Sequence, residues 1–264
     1  MLSKLMKYEF KSTGRTFLPL YGALLASALM TRLLMWGDNV SVLNNAFLYN
    51  LVSGLVVVLF VAMLVATFVV TLIVVLQRFS KNLLGEEGYL SMTLPVKPWQ
   101  HILSKSIVAV CWYFASWVAS ILSFVVLMWN RHIVRDILRA ITFFFTEIHW
   151  DWQSVLTVSE LLLLAVVSIF CAVQLMYASL SLGQLSRRSR KLASFGYFLA
   201  LSLVSEFIVG LVSRIFAGMM PNHFLGSFSG VQILLWFLIS LTALFAAAYF
   251  FISNYMLSRK LNLE

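Results

Sequence analysis

The stretch from Leu51 to Leu76 contains no charged residue and is almost entirely apolar. A helix that rises 1.5 Å per residue needs about 20 apolar residues to cross the ~30 Å hydrocarbon core of a bilayer. A helix also satisfies its own backbone hydrogen bonds within one segment, which lipid requires. This stretch therefore predicts a transmembrane helix, and it constrains the fold of everything attached to it.

Further stretches of the same kind predict an all-α, polytopic membrane protein with six transmembrane helices. The chain has 264 residues, of which 61% are hydrophobic and 11% charged, more apolar surface than a soluble domain of this size can bury. Residues 1–264 are interpreted as one transmembrane domain. The predicted spans are 17–36, 51–76, 106–129, 161–182, 192–213 and 231–253.

The Lys and Arg residues predict the orientation of these spans. If the N-terminus is inside, fourteen of the 19 basic residues fall on the cytoplasmic side, as the positive-inside rule requires. Both termini are therefore expected to be cytoplasmic, and the net charge of +9 is attributed to loops facing anionic lipid rather than to nucleic-acid binding. The inside set is Lys4, Lys7, Lys11, Arg15, Arg78, Lys81, Lys97, Lys105, Arg187, Arg188, Arg190, Lys191, Arg259 and Lys260.

Two segments outside the spans have amphipathic patterns. Residues 2–15 alternate apolar and basic positions at helical spacing, which predicts an interfacial helix on the cytoplasmic surface. A signal peptide ending near Ala28 is less favoured, because the apolar run continues beyond that residue. Arg131, Arg135 and Arg139 recur every four residues and predict a second interfacial helix, assigned to the outside, with a re-entrant segment as the alternative.

No catalytic motif is found in the chain. The phosphate-binding pattern G-x-x-x-x-G-K-[ST] is absent, so ATP is not expected to bind here by that device. Glu147, His149 and Asp151 alternate with aromatic residues, a pattern more typical of a wet loop at the membrane interface than of a metal site. The chain is therefore not predicted to be an enzyme, and no cofactor is expected on it.

Three polar residues within the spans are candidates for a substrate path. Glu206 interrupts the fifth predicted span, and burying a charged carboxylate in lipid is costly, so it is expected to face the protein interior or water. Gln174 and Gln232 could hydrogen-bond to it or act as ordinary interhelical contacts. A structural role for Glu206 and a role in contacting substrate or protons both stay open.

The loop between the second and third spans is the most unusual polar segment. Gly85 and Gly88 bracket Glu86 and Glu87, and each glycine permits a sharp turn. Apolar residues beside these carboxylates suggest a protein contact, while an ordinary loop packed on the membrane surface is the alternative. Pro98 is expected to begin the next helix. The candidate contact residues are Gly85, Glu86, Glu87, Gly88, Tyr89, Leu90, Thr93, Leu94 and Pro95.

Three segments give the chain a resemblance to the permease subunits of bacterial type-2 ABC exporters, in particular those of Gram-positive bacteria. They are Leu5-Met6-Lys7-Tyr8-Glu9-Phe10-Lys11, the loop Gly85-Glu86-Glu87-Gly88-Tyr89-Leu90 with Thr93-Leu94-Pro95, and Ser181-Leu182-Gly183-Gln184-Leu185. These segments lie in the first two-thirds of the chain, and the remainder is similar only in hydropathy.

The resemblance implies that residues 85–95 form a cytoplasmic coupling helix that fits a groove on a separate ATP-binding cassette subunit. ATP and Mg²⁺ would bind to that partner. A second copy of this permease, or a related one, would complete the transporter in the bacterial cytoplasmic membrane. The basic loop at residues 187–191 would make a secondary contact. The re-entrant pair usual in this family is short here, since only residues 214–230 are available for it.

Three functions follow from these observations. The leading hypothesis is a transmembrane subunit of an ATP-driven exporter for an amphiphilic substrate. The second is an ion- or proton-coupled secondary transporter that uses Glu206 as a relay. The third is a non-transporting membrane anchor or sensor that holds a soluble partner through the same loop.

Overall fold

The structure is a computed structural model of the whole chain. It describes residues 2–36, 46–85, 96–128, 151–186, 189–219 and 228–260, and also residues 135, 136, 138, 139, 142 and 143. The described residues are helical apart from short turns, and no strand occurs among them. The predicted all-α fold is thereby confirmed.

Six long helices account for most of the described chain, and each is long and apolar enough to cross a membrane. By length and composition, the helices are those of a chain able to cross a membrane several times. Two helices end in a π-helical turn, at Ser80–Leu84 and at Met256–Lys260. The helices are α1 (Leu2–Trp36), α2 (Ala46–Phe79), α3 (Pro98–Leu127), α4 (Trp152–Gly183), α5 (Arg190–Met219) and α6 (Phe228–Tyr255).

The separate interfacial helix predicted for residues 2–15 is continuous with the first span in α1. The junction stays helical because its polar groups are satisfied within the helix and by one aromatic side chain. Thr13 Oγ1 donates to the Glu9 carbonyl at 2.7 Å and accepts from Trp112 Nε1 at 2.8 Å. Gly14 faces the same indole, since a Cβ on it would lie 3.7 Å from the ring.

The chain divides into two compact units. One consists of Tyr8–Val75 and Cys111–His149. Within it, the Ser116 hydroxyl of α3 lies 2.9 Å from the Tyr21 hydroxyl of α1 and 2.8 Å from Thr71 Oγ1 of α2. Three helices are therefore joined by one polar group inside an apolar core, where hydrogen bonds between helices replace those that water would provide. That core contains Leu24, Ala28, Phe60 and Ala119.

The other unit consists of Met1–Lys7, Leu76–Val110 and Trp150–Glu264. Here α4 packs against both α5 and α6. Phe216 of α5 and Phe237 of α6 stack with ring centroids 4.0 Å apart. Gly183, the last residue of α4, lies against Ser194 of α5, and a Cβ on it would approach Ser194 Cα to 2.7 Å. The tight α4–α5 connection therefore requires the glycine of the Ser181–Leu185 segment.

The second interfacial helix is described only in part. Arg135, Asp136 and Arg139 are helical and exposed, and Arg139 Nη1 lies 3.6 Å from Asp136 Oδ1. An exposed pair of this kind contributes little to stability. Arg131 lies outside the described residues.

Candidate coupling site

Residues 85–95, the predicted coupling segment, lie between the end of α2 and the start of α3, which are called the α2 stem and the α3 stem. The last turn of the α2 stem is π-helical, a form that often occurs at functional sites. This stem stops at Gly85, whose backbone is extended with φ −97° and ψ −169°. A Cβ at Gly85 would lie 2.9 Å from the carbonyl oxygen of Lys81. The glycine is thus required by a close backbone approach and not by a positive φ.

The same stem is buried against α4. Phe79 is fully buried and stacks on Tyr177 of α4, with ring centroids 3.9 Å apart and an interplanar angle of 9°. Leu83 and Leu84 are also buried. Aromatic pairs in contact contribute about 0.5–1.5 kcal/mol beyond the area they bury. The end of α2 is therefore anchored at the point where the coupling segment begins.

The α3 stem is anchored to the same helix. Helix α3 begins at Pro98, as predicted, and its first turns are buried at His101, Ile102 and Lys105. One residue further, Ser106 Oγ accepts a hydrogen bond from Gln174 Nε2 of α4 at 2.9 Å. Gln174 is itself fully buried. The chain on each side of residues 85–95 therefore makes a buried contact with α4.

Gln174 and Tyr177 are three residues apart on α4, so their side chains lie on the same face. One face of α4 thus contacts the end of α2 through Tyr177 and the start of α3 through Gln174. All four side chains of these two contacts are buried.

Of the residues predicted to contact the partner, the structure describes Gly85. The remaining candidates lie outside the described residues. These are Glu86, Glu87, Gly88, Tyr89, Leu90, Thr93, Leu94 and Pro95.

Of the other predicted site residues, Gln174 belongs to this anchor, whereas Glu206 and Gln232 do not. Glu206 is exposed on α5, and the two glutamines have partners other than Glu206. Gln174 bonds to Ser106, and Gln232 of α6 donates to Thr157 Oγ1 of α4 at 3.1 Å. Both glutamines therefore join helices, as one of the two sequence interpretations proposed. In the loop at residues 187–191, Arg190 and Lys191 are exposed.

A carboxylate of α4 lies outside the fourth span predicted from hydropathy. The predicted span begins at Leu161, but α4 begins at Trp152, where Asp151 Oδ1 accepts the Trp152 N–H at 2.9 Å. Glu160 therefore lies inside the helix, and its side chain is only 5% exposed. The aspartate before an apolar run is a helix-start signal, and it could have placed Glu160 correctly.

No group of three or more His, Cys, Asp or Glu residues that could hold a metal ion occurs in the described part of the chain. No protein-family model, curated protein or solved structure matches this sequence.

Proposed function

We propose that this chain is the membrane-spanning subunit of an ATP-driven exporter, and that residues 85–95 couple it to a separate ATP-binding cassette subunit. The observation that supports this most strongly is the common anchoring of both stems on α4, through Phe79–Tyr177 and Ser106–Gln174. A loop that only held a soluble partner would not need both ends tied to the same transmembrane helix.

Energy transfer requires a stiff connection, since a flexible linker absorbs displacement without transmitting it. Here α2 runs without interruption from Ala46 into the buried turn that ends at Leu84. A push on the coupling segment would move the ends of α2 and α3 together, and α4 with them. The substrate path would open or close through the resulting change in helix packing.

The two glutamates of the segment provide the sharpest test. Replacing Glu86 and Glu87 with alanine is expected to lower the ATP turnover that depends on this chain by about tenfold or more, because even one lost hydrogen bond to a charged group costs about 1.5–3 kcal/mol and about 1.4 kcal/mol is tenfold. The measurement is ATP hydrolysis by the reconstituted complex in lipid nanodiscs, with assembly checked by size-exclusion chromatography.

The matched control is Asp136→Ala, which removes an exposed carboxylate on the side assigned to the outside. It should leave ATP turnover unchanged. Full turnover in the Glu86/Glu87 variant would remove the coupling role from this segment. Transport that continues without any ATPase would instead favour a secondary transporter.

A further inference from the structure

A groove lies between the ends of α4 and α6, within the unit that contains both helices. Its volume of about 470 Å³ is in the range of about 300–1,000 Å³ that is usual for ligand sites. Five apolar side chains and one tyrosine line it, and Leu185, Phe251 and Tyr255 are more than half exposed. The groove therefore fits an apolar chain. Its lining residues are Leu182, Leu185, Phe251, Ile252, Tyr255 and Met256.

The first turn of α5 lies close to the α4 side of this groove. Gly183 follows the lining residue Leu182, and a Cβ on Gly183 would lie 2.7 Å from Ser194 Cα. Ser194 Oγ in turn donates to the Arg190 carbonyl at 2.8 Å. Arg190 and Lys191 are both exposed. The two basic residues that begin α5 are therefore about one helical turn from the α4 end of the groove.

The α6 side of the groove is followed by basic residues as well. Its lining residue Met256 begins the π-helical turn Met256–Lys260, and the sequence of this turn ends in Arg259 and Lys260. From residue 161 to residue 263 the sequence contains one acidic residue, Glu206, which is about 24 Å along α5 from its first residue. The helices that form the groove therefore supply no acidic residue at its basic end, and positive charge of this kind attracts anions.

We propose that the groove binds one anionic phospholipid, with an acyl chain in the groove and the phosphate at Arg190 and Lys191. Basic pockets between transmembrane helices bind acidic head groups on the cytoplasmic side, the side to which the distribution of Lys and Arg assigns this end. A free anion, or a soluble acidic partner at residues 187–191, would use the charges and leave the apolar groove unfilled. The site goes beyond the proposed function and does not depend on it.

The test compares phosphatidylglycerol, which is anionic, with phosphatidylcholine of the same acyl chains, which is zwitterionic. Binding of each lipid to the purified full-length chain in detergent is measured by native mass spectrometry, without ATP or a partner. The wild type is expected to retain one phosphatidylglycerol and to prefer it over phosphatidylcholine by about tenfold or more, since each basic residue near an anionic lipid contributes about fivefold.

Three variants make the result specific. Arg190→Gln should weaken phosphatidylglycerol binding by about fivefold, and the double variant Arg190→Gln/Lys191→Gln by about twentyfold or more. Leu185→Gln, at an exposed position of the groove, should weaken it by about threefold or more, because apolar contact with the acyl chain is lost. The matched control is Arg214→Gln, which removes an exposed basic residue near the other end of α5 and should leave binding unchanged.

Equal retention of the two lipids, full binding in Arg190→Gln, or an equal loss in Arg214→Gln would overturn this site. Displacement of the lipid by millimolar inorganic phosphate, together with full binding in Leu185→Gln, would overturn it in favour of a free-anion site. Thermal unfolding midpoints without added lipid confirm that the variants are folded. Because the assay contains no ATPase, a chain that retains phosphatidylglycerol but never associates with an ATPase would keep the site and lose the proposed function.

Discussion

At the scale of single residues, glycines show most clearly how closely the chain is packed. Gly183 and Gly85 are both required by close approach to backbone atoms, of Ser194 in one case and of Lys81 in the other. Neither glycine has a positive φ, since none occurs among the described glycines. Their role is therefore steric, and it can be tested by adding a single methyl group.

Gly183→Ala is expected to destabilise the protein by about 1–3 kcal/mol, the usual cost of overpacking, because the new Cβ would overlap Ser194. The matched control is Gly196→Ala in α5, where a Cβ would meet nothing within 4 Å. That change should be neutral or stabilising by about 0.5–1 kcal/mol, since alanine favours helices. Unfolding in detergent measures both, and equal effects would contradict the close α4–α5 approach.

At the scale of helices, α4 contacts both helices that flank residues 85–95. Tyr177 stacks on Phe79 at the end of α2, and Gln174 donates a hydrogen bond to Ser106 near the start of α3. These two contacts make α4 the element on which the proposed coupling depends.

The Phe79–Tyr177 contact can be measured by a double-mutant cycle with Phe79→Leu and Tyr177→Leu. A coupling energy of about 0.5–1.5 kcal/mol is expected for a stacked aromatic pair. The measurement is the free energy of unfolding of the wild type, both single variants and the double variant. Additive effects would show that the rings do not interact, and the α2 stem would lose its anchor on α4.

Hydropathy predicted the six helices well, because the apolar content of each span is a local property of the sequence. The boundaries were less accurate where a helix extends beyond its apolar run. Residues 2–15 are continuous with the first span because Trp112 packs on their junction, and Glu160 belongs to α4 because the helix begins at the Asp151 cap. Partners such as Ser106 for Gln174 depend on packing between distant segments, which periodicity alone does not reveal.

At the scale of the whole molecule, the central claim is that the chain works only as part of an ATP-driven complex. Its cytoplasmic side, as predicted from the distribution of Lys and Arg, would present the coupling segment and the basic loop at residues 187–191 to a soluble subunit. The six helices are each long and apolar enough to cross a membrane, a property that an exporter and a secondary transporter share. An ATP-binding partner subunit distinguishes the two.

The most direct measurement is therefore purification of the tagged chain from its native membrane, followed by mass spectrometry of the bound proteins and an assay of ATP hydrolysis. We predict that an ATP-binding cassette subunit co-purifies in stoichiometric amount, that the complex hydrolyses ATP, and that the Glu86/Glu87 alanine variant loses turnover while keeping the subunit. A chain that transports substrate from a preparation containing no such subunit would contradict the account.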